Sequence, residues 1–201
     1  MNPHFIFNSL NSIQQFISAS EKEEALKYLS RFSKLIRLVL QNADKNEIKL
    51  SDELNMLEFY LQLESLRFSN KFSFHFTIDS NVNSDAIEIP TMLLQPYIEN
   101  AVVHGLLNKE SSGHLELTLN RNNNKLICNI EDNGIGREAA AIIKNKKFVR
   151  HESLGMKVTE ERMQMLEQVL NKKAIITVHD LKDENQNATG TKVMIEIEID
   201  D

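Results

Sequence analysis

The chain has 201 residues, 41% hydrophobic and 26% charged, with a formal net charge of −6. Three Pro and six Gly over that length exclude a disordered or collagen-like chain, and the acidic balance argues against nucleic acid as a partner, which needs a dense basic surface. One cysteine, Cys128, excludes an internal disulfide and fits a reducing compartment. No apolar run approaches the roughly 20 residues that cross a bilayer, and the N-terminus lacks the basic and apolar regions of a signal peptide. The sequence opens inside a helical pattern, so we expect a cytoplasmic fragment whose parent reaches a membrane only through segments upstream of Met1.

Residues 4–67 are predicted to be helical. Ile6, Leu10, Ile13 and Ile17 step by four, three and four and form an apolar stripe. His4, Asn8, Asn11 and Gln15 take the same steps on another face, which places His4 among exposed amides. Ser20 and Glu23 fit a capping box for a second helix. Along that helix Ala25, Leu29, Phe32, Ile36 and Val39 form a narrow seam suited to helix packing in a homodimeric bundle. Ser51 begins a third helix with Asp52 and Glu53 in its first turn, where the macrodipole favours acids. Its apolar positions include Leu54, Leu57 and Leu61. Arg67 is placed to pair with Glu64 at i, i+3 in a structural role.

From about residue 70 the period changes from helix to strand. Phe72, Phe74, Phe76 and Ile78 alternate. "IPTMLLQPYIENAVVHGL" predicts a helix whose internal Pro96 bends it or marks a late start. "HLELTLNRNNNKLICNIED" predicts two strands joined at Asn122–Asn124. "GREAAAIIKNKK" and "GMKVTEERMQMLEQVL" predict helices. "AIITVHDL" and "GTKVMIEIEI" predict a strand pair around a polar loop near 183–187, with Val193, Ile195, Ile197 and Ile199 on one face. The fold class is α+β: a helical region over 1–68, then a mixed sheet with helices over 69–201.

Three stretches in the second part carry possible chemistry. In "ENAVVHG", Asn100 and His104 share a helix face, and an amide oxygen is a hard ligand suited to a Mg²⁺ that keeps most of its waters. In "EDNGIGR", Asp132 ends a strand and can accept a hydrogen bond from an exocyclic amine, while Gly134 and Gly136 allow close approach to a flat ring. In "SLGMKVTEERM", Gly155 precedes a helix whose free N–H groups suit an anion. Alone, each also reads as a polar helix edge, an ordinary turn or a plain helix start.

Their order is more specific than any one of them. A helix with Asn, a strand ending Asp-x-Gly-x-Gly, a basic connector, a Gly before a helix and a strand with Gly190-Thr191 together resemble the Bergerat ATP-binding fold of histidine kinases, gyrase-type topoisomerases, Hsp90 chaperones and MutL-type repair proteins. "NPHFIFNSLNSI" at 2–13, "YLQLESLRF" at 60–68, "LQPYIENAVVHG" at 94–105 and "LGMKVTEERM" at 154–163 resemble the LytS/YehU-type sensor histidine kinases. The resemblance implies a helical phosphoacceptor and dimerisation region followed by a Bergerat α/β sandwich. It implies ATP with Mg²⁺ as cofactors and Asn100 as the metal ligand. Asn100, His104, Asp132, Gly134, Gly136, Leu154, Gly155, Met156 and Thr191 would contact nucleotide. His4 would accept the γ-phosphoryl group and pass it to an aspartate of a response regulator, typically of the LytTR type. Asn8, one turn on, is spaced to hold the ring or the phosphate. Glu99 matches the acidic residue this subfamily retains. Arg137, Lys144, Lys146, Lys147 and Arg150 in the connector at 137–154 would be lid cations.

Four positions depart from the pattern. Pro96 stands where many Bergerat ATPases carry the Glu that activates water, which favours transfer to His over hydrolysis. Val103 replaces a common phosphate-contacting Lys, leaving that charge to His104, Lys109 or the lid. Ser153 replaces the first Gly of the G2 box, and Val158 replaces a frequent Asn. Two alternatives to an active kinase stay open: a degenerate kinase that binds nucleotide or a partner without transfer, and a chaperone- or topoisomerase-type ATPase.

Overall fold

The computed structural model describes residues 3–146 and 174–199, with side chains for 5–143 and 174–199. Helix α1 spans Pro3–Ser18, α2 Lys22–Asn42 and α3 Leu50–Arg67. Pro3 opens α1 because its fixed φ suits a first helical turn and its missing N–H is not needed there.

The buried face of α1 lies beside the predicted apolar stripe, not on it. Phe5, Ser9 and Ser12 are buried and Ile13 and Phe16 half-buried, whereas Ile6, Leu10 and Ile17 are 40%, 51% and 64% exposed. Aromatic packing sets that rotation. The Phe5 ring lies 6.4 Å from Phe32 and 5.4 Å from Tyr60, and Phe16 lies 5.8 Å from Tyr28. Rings bury more area than Ile or Leu and gain from tilted contacts. The serines that the rotation buries are satisfied: Ser12 donates to the Asn8 carbonyl at 3.0 Å, and Tyr28 donates to Ser9 Oγ at 3.3 Å. In α2 the seam shifts in the same way. Ala25, Tyr28, Leu35 and Asn42 are buried, and Leu29 is 45% exposed.

The predicted capping box does not form. Ser20 has φ 61° and closes α1, not α2. The Ser20 N–H bonds to the Ile17 carbonyl at 3.0 Å and the Glu21 N–H to the Phe16 carbonyl at 2.9 Å. That is a Schellman closure with a left-handed residue just past the helix end. Glu21 is then the N-cap of α2, with no side-chain cap bond.

Two short strands were not expected. β1 (Glu47–Lys49) pairs antiparallel with β3 (Glu88–Pro90), tying the start of α3 to the later part of the chain. α3 is buried nearly all round, through Leu50, Leu54, Met56, Leu57, Tyr60, Leu61 and Leu63.

The main sheet contains β2 (Phe72–Ile78), β4 (Gly113–Asn122), β5 (Lys125–Asp132), β6 (Ala174–Lys182) and β7 (Ala188–Glu198) in the order β2-β4-β5-β7-β6. β2 runs parallel to β4 and the other pairs are antiparallel. Alternation sends Leu115, Leu117, Leu119, Leu126, Cys128, Ile130, Val193, Ile195 and Ile197 into the core. Asn123, with φ 51°, turns β4 into β5 at the predicted Asn run. Ile98, Val102 and Leu106 bring α4 (Gln95–Asn100) and a following π-helical turn (Ala101–Leu106) into the same core. Helix α5 spans Gly136–Lys146. The fold is therefore α+β with a mixed sheet, as the sequence predicts.

Candidate functional site

The chain delivers Asp132 at the end of β5, opposite Thr191 of β7. Asp132 is 5% exposed. Its Oδ1 accepts the Gly134 N–H at 2.8 Å, and its carboxylate also accepts the Thr191 backbone N–H. Burial pushes its carboxyl from 3.8 up to about 6, against these two N–H groups and the Lys109 charge. Above that pH it is an ionised acceptor in a desolvated site, at a premium for a donor from a ligand.

The glycines make the space. A Cβ on Gly134 would lie 2.6 Å from Asp132 Oδ1 and 2.6 Å from Gly105 Cα, so the loop after β5 and the π-helical turn touch backbone to backbone. Gly136 has φ +76° and starts α5. Asn133 Oδ1 accepts the His114 N–H at 2.7 Å, and Lys109 Nζ donates to the Asn133 carbonyl at 2.7 Å, which pins the loop.

Asn100 closes α4 and is half-buried, and its amide has no hydrogen-bond partner among the described residues. The helix begins late, at Gln95, with Pro96 in its first turn, as the proline predicts. It then widens: the Leu107 N–H reaches the Val102 carbonyl, five residues back, at 3.0 Å. Short π segments often sit at functional sites. This one carries the exposed His104 and puts Gly105 against Gly134. Glu99 accepts from Gln95 Nε2 at 2.6 Å.

Glu53 is a residue the sequence reading noticed only for its place in a first turn. It is 1% exposed and accepts the Met92 N–H at 2.8 Å and the Leu94 N–H at 3.1 Å. Met92 has φ 58°, so Glu53 fixes an unusual loop conformation directly before α4. A carboxylate inside an otherwise apolar helix was the available signal. Arg137, expected among the lid cations, instead makes a bidentate pair with Asp180 of β6, with both contacts at 2.7 Å. Asn8 is half-buried on α1. The His4 side chain, the side chains of Lys144 and Lys146, and Lys147, Arg150, Ser153, Leu154, Gly155, Met156 and Val158 lie outside the described residues, as does the helix predicted over 155–170.

The donor set fits a nucleotide with a hard cation. A buried carboxylate with two glycines beside it suits the amine of a flat base, and the open amide of Asn100 suits Mg²⁺. No helix among the described residues is long and apolar enough to cross a membrane.

Residues 1–72 match the family model described as histidine kinase. The sensor protein LytS of Staphylococcus haemolyticus is 35% identical over 136 residues, 68% of this chain and 23% of that protein. LytS of Bacillus subtilis is 35% identical over 68% of this chain and 22% of its own length. The Escherichia coli sensor histidine kinase YpdA is 30% identical over 71% of this chain and 24% of its own length. The matched part thus spans about a quarter of these relatives. Among solved structures, the histidine kinase domain of an Erythrobacter litoralis blue-light activated histidine kinase superposes with a TM-score of 0.54 at 16% identity, covering 95% of this chain and 94% of that one. A bacterial phosphotransferase superposes with a TM-score of 0.53 at 14% identity, covering 97% of this chain and 90% of that one.

Proposed function

Because the chain belongs to the LytS-type branch of the histidine kinase family, we propose that it is the catalytic part of a two-component sensor. Residues 1–68 serve as acceptor and dimerisation region and 69–201 as the ATP-binding region. The observation that carries the proposal is the desolvated Asp132 carboxylate with Gly134 and Gly105 at its side and Asn100 on the adjoining helix. ATP supplies the phosphoryl group, and Mg²⁺ offsets the charge of its phosphates.

The chain's own residues do the rest. Asp132 accepts the exocyclic amine of the base and orients it. Gly134 and Gly136 admit the ring, with Thr191, Leu154, Gly155 and Met156 lining the same site. Asn100 holds the cation, with His104 near the phosphates. The His4 imidazole is a nucleophile near pH 7 without a strong base. One ring nitrogen forms the N–P bond as the bond to the departing ADP oxygen breaks, and the ring proton passes to water. Asn8 steadies the ring, and Glu99 stands beside the metal ligand. The phosphoryl group then passes to an aspartate of a response regulator of LytTR type. Exposed Ile6, Leu10, Ile17, Leu26 and Leu29 on α1 and α2 support a homodimer through these helices. Membrane attachment belongs to the parent protein.

A second reading, a nucleotide-binding relay without transfer, is favoured by one observation. Two cations expected near phosphates, Lys109 and Arg137, are held by Asn133 and Asp180. Label from γ-labelled ATP and Mg²⁺ decides. The kinase proposal predicts label in wild type and none in Asn100→Ala or Asp132→Ala. Nucleotide binding with no label in wild type favours the relay.

A further inference from the structure

Helix α3 carries a buried ion pair that the nucleotide site does not use. Glu64 is 2% exposed, and Arg67 Nη1 lies 3.2 and 3.4 Å from its two carboxylate oxygens. The Arg67 guanidinium also lies over the Phe68 ring, 4.6 Å from its centre. Such a pair contributes little net stability, because desolvating two charges offsets most of their attraction. Its position is more informative than its energy.

One turn before Glu64, Tyr60 is 4% exposed with its ring 5.4 Å from that of Phe5, the residue after His4. On the other side, the Glu99 carboxylate is near enough to act on both Glu64 and Tyr60, and Glu99 directly precedes Asn100. Tyr28, which donates to Ser9 of α1, also senses both Glu64 and Arg67. The pair thus sits between the seat of the acceptor helix and the helix that carries the proposed metal ligand. Arg67 is the cation that Glu64 and the neighbouring Glu99 share in a poorly solvated place. Without it the two carboxylates repel and α4 is pushed from α3.

We propose that Glu64 and Arg67 are positioning residues for phosphoryl transfer: their ion pair holds Tyr60 under Phe5 and keeps the Glu99–Asn100 end of α4 in place, so that one charge-paired node sets both reacting partners. This inference rests on the kinase proposal above. Phosphoryl transfer depends chiefly on in-line placement, so a small displacement of one partner lowers the rate without weakening nucleotide binding.

The test uses the intact protein with Glu64→Gln, Arg67→Lys, and the double variant Glu64→Gln/Arg67→Met, which removes both charges at similar volume. A fluorescent ATP analogue with Mg²⁺ reads binding, γ-labelled ATP reads kcat and KM of His4 labelling, and thermal unfolding reads the fold. The expected result is a KM and analogue Kd within about twofold of wild type, with kcat down at least tenfold in Glu64→Gln and in a double variant that melts like wild type; Arg67→Lys recovers part of the rate. An unchanged kcat in the folded double variant overturns the inference alone, as does a rate loss that only follows lost nucleotide binding. No label in wild type overturns the kinase proposal and this inference with it.

Discussion

Asp132→Asn separates the chemistry of the site from the stability of the fold. In the native state burial raises the Asp132 carboxyl from 3.8 to about 6. The native protein therefore holds this proton more tightly than the unfolded chain. By linkage, the stabilisation is fully present below pH 3.8 and is lost as pH rises through about 6. A shift of that size corresponds to about 3 kcal/mol against the ionised native form at neutral pH. Asn removes the charge and keeps an oxygen for the Gly134 N–H. Without nucleotide, Asp132→Asn is expected to be more stable than wild type at pH 7.5 by about 1–3 kcal/mol, and no more stable at pH 4.5. For a chain of this size that gain is a rise of about 3–10 °C in Tm. Thermal and urea unfolding at the two pH values measure it. Saturating ATP·Mg²⁺ at pH 7.5 should then stabilise wild type and leave the variant unmoved, because only a state that binds ligand gains from it. A variant equally destabilised at both pH values would refute the reasoning, since the buried charge would then contribute nothing to the pH dependence.

Three further outcomes follow from the same geometry. Glu53→Ala leaves the Met92 and Leu94 N–H groups buried and unpaired and should cost about 3–5 kcal/mol in urea unfolding, whereas Glu53→Gln, which keeps one acceptor, should cost clearly less. In Gly134→Ala the new Cβ meets Asp132 Oδ1 and the Gly105 backbone at 2.6 Å, so we expect a loss of about 1–3 kcal/mol and of binding to a fluorescent ATP analogue; tight binding in a stable variant would contradict the backbone contact. Leu10→Ser with Leu29→Ser, at positions 51% and 45% exposed, should convert a dimer to monomers in sedimentation while leaving far-ultraviolet circular dichroism unchanged.

Much of the fold could be read directly. Period-2 alternation placed β2, β4, β5, β6 and β7, because one face of each strand meets the core and the other does not. Pro96 announced a late helix start, and the Asn run a turn. The faces of α1 and α2 could not be read, since a stripe of Ile and Leu competes with neighbouring Phe and Tyr and only the partners, Phe32 and Tyr60 for Phe5, decide the rotation. Ser20 fits a helix start in sequence as well as it fits the left-handed end that it forms. The π-helical turn depends on the contact between Gly105 and Gly134, which are distant in sequence, and the three-residue strands β1 and β3 are too short to show a period. Asp132, Gly134 and Asn100 stood out by motif. Glu53 and Glu64 did not, because a buried carboxylate on a helix looks like a surface one until its partners are known.

The most direct test of the central claim is transfer from γ-labelled ATP with Mg²⁺ to the intact protein, with wild type and His4→Ala side by side. A label that is acid-labile, alkali-stable and absent from His4→Ala is the predicted result. Wild type that binds nucleotide yet takes up no label, or label that survives in His4→Ala, would contradict it.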